Sequence, residues 1–153
     1  MIETSALKPH LLDQDRLVRD AVVDFFAKSW SRDPELVPHV LDARERFGEQ
    51  ATRRMLGACD RFVLTPTSLE GVIGALGEAR DPSAAMLLCR VIANAPADLL
   101  SGAREQILVE KNLLSETRVR LHRRIHFARW PPERLWKVLV RLAKRSKEQV
   151  AAE

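Results

Sequence analysis

Tyrosine is missing from this 153-residue chain, cysteine occurs only twice, and aromatic residues make up 5% of the total. No Asn-Gly or Asp-Gly turn occurs and apolar–polar alternation never persists, which removes the signals of a hairpin-rich β protein. No apolar run approaches the roughly 20 residues that a membrane helix needs. The opening MIETSALKPHLLDQD lacks the basic-then-apolar order of a signal peptide, so a cytoplasmic location is the expectation. Cys59 and Cys89 stand 30 residues apart in apolar segments, without the close spacing of a zinc or redox motif. They are expected to be reduced core residues.

Signatures of catalysis are equally sparse. No serine sits in a nucleophile elbow, neither cysteine neighbours a histidine, and the carboxylates are scattered at capping and surface positions. His122 and His126 have the i, i+4 spacing at which two imidazoles share a metal. No glutamate follows the first, however, and no third ligand is evident, so neither metal nor cofactor is expected. Gly71, Gly74 and Gly77 in LEGVIGALGEA have the wrong spacing for a phosphate-cradling loop. On a helix they would leave one face bare and let a neighbour approach, at up to about 1 kcal/mol each relative to alanine.

What is present is helical periodicity, in a chain with 46% hydrophobic and 30% charged residues, which suits one folded domain over 1–153. DRLVRDAVVDFFAKSW at 15–30 is expected to place Leu17, Val18, Ala21, Val22, Phe25 and Phe26 on one buried side. A helix-start pattern then recurs: DPELV, TPTSL, APADL and PPERL align Pro34, Pro66, Pro96 and Pro132 at intervals of 32, 30 and 36 residues. Proline suits a first helical turn, where its missing N–H has no partner to lose, and Asp33 and Thr65 are good N-caps before it. Asp81 and Pro82 open another segment in the same way, and Gly48 is placed to end the helix before residue 49.

The other helical stretches fall at about 15–30, 49–64, 82–94 and 115–129, and Cys59 and Cys89 share one register, seven residues before Pro66 and Pro96. A two-helix unit of this length cannot bury its apolar face alone, so neighbours must stack. The expectation is an all-α α-solenoid of about four antiparallel helix pairs, at 15–47, 49–80, 82–113 and 115–150, with 1–12 as a capping segment.

The stretches DQDRLVRDAVVDFF, DPELV and DPSAAMLL resemble the aspartate, proline, aliphatic and Val-Arg pattern of HEAT-like repeats. Tetratricopeptide and ankyrin signatures are not found. The resemblance implies a non-catalytic scaffold that binds a protein partner through one face of the superhelix. Pairs of this kind also build alkylpurine DNA glycosylases, to which Trp30, Trp130, Trp136 and the basic helices are superficially similar, although no aspartate matches their catalytic position.

Charge is unevenly placed. Residues 1–117 hold 14 Lys and Arg against 18 Asp and Glu, whereas residues 118–153 hold 11 against 3, a net +8. Arg120, Arg123, Arg124, Arg134, Lys137, Arg141, Lys144 and Arg145 are the candidate anion- or partner-binding residues, on helices whose apolar stripes are Leu121, Ile125, Ala128 and Leu135, Val138, Leu139, Leu142. Such a face fits nucleic acid or another polyanion, or is the solvated cap of a terminal repeat. In WPPERLW at 130–136, Pro132 is the fourth recurring helix start, and Trp130 and Trp136 are expected to be packing anchors.

Overall fold

The computed structural model describes residues 4–110, 112–127, 136, 137, 140, 141, 143 and 144. Among the described residues the chain is all-helical. A short helix α1 (Thr4–Leu7) runs into a 3₁₀ turn, Lys8–Leu12, and then come α2 (Arg16–Lys28), α3 (Leu36–Phe47), α4 (Arg53–Ala58), α5 (Pro66–Glu78), α6 (Pro82–Ala93), α7 (Ala97–Gly102), α8 (Arg104–Val109) and α9 (Ser115–Phe127). The helix starts follow local chemistry. Thr65 and Ser68 form a capping box with Pro66 at the first position of α5, and the Asp81 carboxylate accepts the Ser83 N–H ahead of Pro82 in α6. Gly48 ends α3 at φ 88°, a left-handed value that glycine adopts without a Cβ clash, and its N–H reaches the Arg44 carbonyl at 2.9 Å.

Two of the recurring prolines act differently from the expectation. Pro34 lies in a turn before α3, with Asp33 Oδ1 accepting the Glu35 N–H at 2.9 Å, and Pro96 is the N-cap of α7 rather than its first helical residue. The expected helix over 49–64 is also shorter: α4 is a single stretch to Ala58, continued by a 3₁₀ turn at Cys59–Arg61. Helix α4 packs against α6 at Gly57, where a Cβ would make ordinary contact with Leu87 at 3.7 Å.

The face that α2 buries is rotated from the expected one. Arg19, Val22, Val23, Phe26 and Ala27 point inward, while Leu17 is 77% exposed and Ala21 and Phe25 are exposed too. The reason is Arg19, which a hydrophobic pattern assigns to solvent. Its guanidinium donates through Nη1 to the carbonyls of Asp13 at 2.7 Å and Gln14 at 3.0 Å and through Nη2 to that of Ala51 at 3.3 Å, and lies 4.0 Å over the Phe47 ring, while its Nε is buried without a hydrogen-bond partner among the described residues.

Helix contacts run in two series, α2 on α4, α4 on α6 and α6 on α9, and alongside it α3 on α5 and α5 on α7. The 3₁₀ turn at Lys8–Leu12 lies across both α2 and α3. Between the series sits one core that includes Leu36, Val40, Leu56, Leu76, Leu88 and Leu100, each at most 1% exposed. Each such side chain contributes about 2 kcal/mol of burial. Leu121 carries the core into α9 and is fully buried, as its place in the apolar stripe predicts.

Polar side chains reach across to other helices, most of them to carbonyls in a last turn, where a helix leaves its carbonyls without an intrahelical partner. Arg44 Nη2 donates to the Ala75 carbonyl of α5, 31 residues away, and Arg90 Nη2 to the Gly57 carbonyl of α4, 33 residues away. Arg124 Nη1 donates to the Ala93 carbonyl at the end of α6, and Asn112 Nδ2 to the Leu76 and Gly77 carbonyls of α5. Arg19 reaches the Ala51 carbonyl across 32 residues, in the turn ahead of α4.

Candidate partner-binding surface

Helix α9 turns Arg120 to solvent and roots Arg124 in the fold. Arg120 is exposed and makes no side-chain bond among the described residues, whereas Arg124 is half-buried and committed to the Ala93 carbonyl. Arg118 is likewise half-buried and donates to the Glu110 carbonyl at 2.8 Å. The side chains of Arg123, His122 and His126 lie outside the described residues, as do Arg134 and Arg145. Lys137, Arg141 and Lys144 are helical and exposed. Among the candidate cations, the described ones open to a partner are therefore Arg120, Lys137, Arg141 and Lys144.

Trp136 is 69% exposed, which overturns its expected role as a packing anchor; Trp130 lies outside the described residues. Beside the exposed Val119, an open depression of about 550 Å³ is lined by Ser115, Glu116, Arg120 and Arg124. One apolar side chain, Val119, thus stands among two arginines, Glu116 and Ser115 on this side of α9.

The glycines of α5 divide in role. A Cβ on Gly71 would lie 2.8 Å from Leu41 Cδ1, so α3 approaches there as the spacing suggests, but Gly74 has nothing within 4 Å and instead floors a shallow groove of about 210 Å³. Asp42, Glu45 and Glu78 rim that groove. Below it Arg44, 8% exposed, holds Glu49 at 3.2 Å and Glu78 at 3.6 Å. Arg44 and Glu49 escape a sequence reading because each looks like an ordinary surface charge near a helix end.

A third feature lies at the C-terminal ends of α2 and α4. Helix α2 closes with the Ser31 N–H bonded to the Phe26 carbonyl at 3.2 Å and the Trp30 N–H to the Ala27 carbonyl at 3.4 Å, the pair of bonds of a Schellman motif. That motif puts Trp30 at φ 53°, where glycine is the usual occupant, and leaves its indole 76% exposed. An adjoining depression of about 410 Å³ is lined by Lys28, Arg54, Arg61 and Arg90 among others.

Both cysteines are free and buried, and burial pushes the Cys59 thiol up to about 12 and raises the Cys89 thiol as well, which disfavours the reactive thiolate. Among the described residues no group of three or more His, Cys, Asp or Glu side chains is placed to hold a metal, and no helix is long and apolar enough to cross a membrane. No family model, curated protein or solved structure matches this chain.

Proposed function

We propose that the chain forms a single HEAT-like α-solenoid of about four antiparallel helix pairs and serves in the cytoplasm as a non-catalytic scaffold for a protein partner. The observation that carries this reading is the regular stride of the cross-unit bonds. Arg19, Arg44, Arg90 and Arg124 each reach a carbonyl 31 to 33 residues away. One repeat length recurring in side-chain chemistry as well as in proline spacing is the behaviour of stacked units whose contacts are with nearest neighbours. Stacked units present long exposed faces, which suit proteins better than small substrates. The two free, buried thiols fit a reducing compartment.

A second reading is favoured by the exposure of Arg120, Lys137, Arg141 and Lys144, which together could hold the phosphates of a nucleic acid. The two separate by salt. Affinity capture with the intact chain, after nuclease treatment and in high salt, is expected to retain one protein partner. Loss of every partner in high salt, together with heparin retention that disappears on charge reversal of Arg120, Lys137, Arg141 and Lys144, would replace the first reading with the second.

A further inference from the structure

We propose that the depression between the C-terminal ends of α2 and α4, with Trp30 at its border, seats an acidic, apolar-studded peptide segment of a protein partner. This rests on the scaffold reading and specifies the partner's chemistry. Trp30 is the first ground. The left-handed conformation costs a residue with a Cβ about 1–2 kcal/mol, and an indole that is 76% exposed recovers little of that through burial. The two Schellman bonds offset part of that strain, and a partner covering the ring would offset more.

The wall beside it is the second ground. The Trp30 amide is bonded to the carbonyl of Ala27, which with Lys28 lines the depression. Four cations share that wall, and two are already engaged: Arg54 Nε holds Asp24 at 3.1 Å and Arg90 Nε holds Asp60 at 3.3 Å. The side chains of Lys28 and Arg61 make no hydrogen bond or ion pair among the described residues. Two uncommitted cations in that wall, with an exposed tryptophan two residues beyond Lys28 in the chain, match carboxylates interspersed with apolar side chains. Asp24 and Asp60 in the same wall disfavour a phosphate backbone, which gains from an uninterrupted positive track.

The test uses the intact chain labelled with fluorotryptophan, its Trp30 fluorine signal assigned by Trp30→Phe, and as probe a capped peptide alternating glutamate with leucine. The Trp30 signal should shift saturably with peptide. Lys28→Glu combined with Arg61→Glu should weaken the affinity about tenfold or more without changing the melting temperature. Trp30→Gly should lose the peptide while melting higher than the parent chain, which separates a binding defect from a folding defect. An unmoved Trp30 signal, or parental affinity in the Lys28→Glu, Arg61→Glu variant, overturns the proposal. So does an oligothymidylate that moves the Trp30 signal more than the peptide does. Peptide shifts confined to Trp130 or Trp136 overturn this site and leave the scaffold reading in place.

Discussion

Glu49 Oε1 lies 3.2 Å from Arg44 Nη2, and the same carboxylate accepts the backbone N–H groups of Arg80 at 3.2 Å and Asp81 at 2.8 Å. One side chain thereby ties the end of α3 to the approach of α6, across 32 residues. Burial pushes the Glu49 carboxyl up, but the Asp81 and Arg80 amides and the Arg44 guanidinium pull it further down, so it titrates below its ordinary 4.5. A depressed carboxyl stabilises the fold at all pH values above its unfolded value, and the contribution drains away as pH falls through the lower folded one. Glu49→Gln should cost about 1–2 kcal/mol at neutral pH. Urea titrations should show the gap between variant and parent closing once pH drops below 4.5.

Arg19 offers a sharper test of burial. With Arg19 2% exposed and its guanidinium bonded to three part-buried carbonyls, Arg19→Met should destabilise by about 1–3 kcal/mol, because those carbonyls lose their donors. Arg19→Lys should rescue little of the loss, since an ammonium cannot reproduce the planar fork or its stacking on Phe47. Chemical denaturation of the two variants checks both statements.

The glycines of α5 predict different outcomes at neighbouring turns. Gly74→Ala meets open space and should stabilise by about 0.5–1 kcal/mol through helix propensity alone. Gly71→Ala gains the same propensity but drives a methyl to 2.8 Å from Leu41 Cδ1, so it should melt below the Gly74 variant. Differential scanning calorimetry of the pair decides it.

Thiol chemistry should report unfolding rather than reactivity. Cys59 is 2% exposed, donates to the Met55 carbonyl at 3.4 Å, and is held protonated by burial; Cys89 is 1% exposed. Both should resist iodoacetamide in native buffer and react fully in denaturant, as read by intact mass. Rapid native labelling of Cys59 would contradict its placement in the core.

The elements most legible in the sequence were those set by neighbours a few residues apart. Thr65, Asp81 and Gly48 act as the caps their side chains or lack of one allow, because capping is decided within a single turn. The face of α2 was misread at Arg19, since periodicity sorts residues by hydrophobicity and cannot know that three carbonyls and an aromatic ring await a guanidinium. The break between α7 and α8 at Ala103 had a visible signal in Gly102, whose propensity disfavours a continuous helix. At the candidate surface, charge on α9 was visible, but whether an arginine meets water or a distant carbonyl depends on contacts 31 residues away, as Arg124 and Ala93 illustrate. Lys28 and Arg61 carry no local mark at all, because a depression exists only once α2 and α4 have docked.

The arginine-to-carbonyl bonds also shape how the molecule comes apart. Each one takes its donor from one helix and its acceptor from another, so a helix that loosens strips a partner from a carbonyl at its neighbour's end. Loosening of one helix therefore reaches the helices packed against it, and the amides of α6, which contacts α4, α5 and α9, should be the slowest to exchange with deuterium. The stiffness of the exposed faces is then a collective property, inherited from neighbours rather than owned by any one helix.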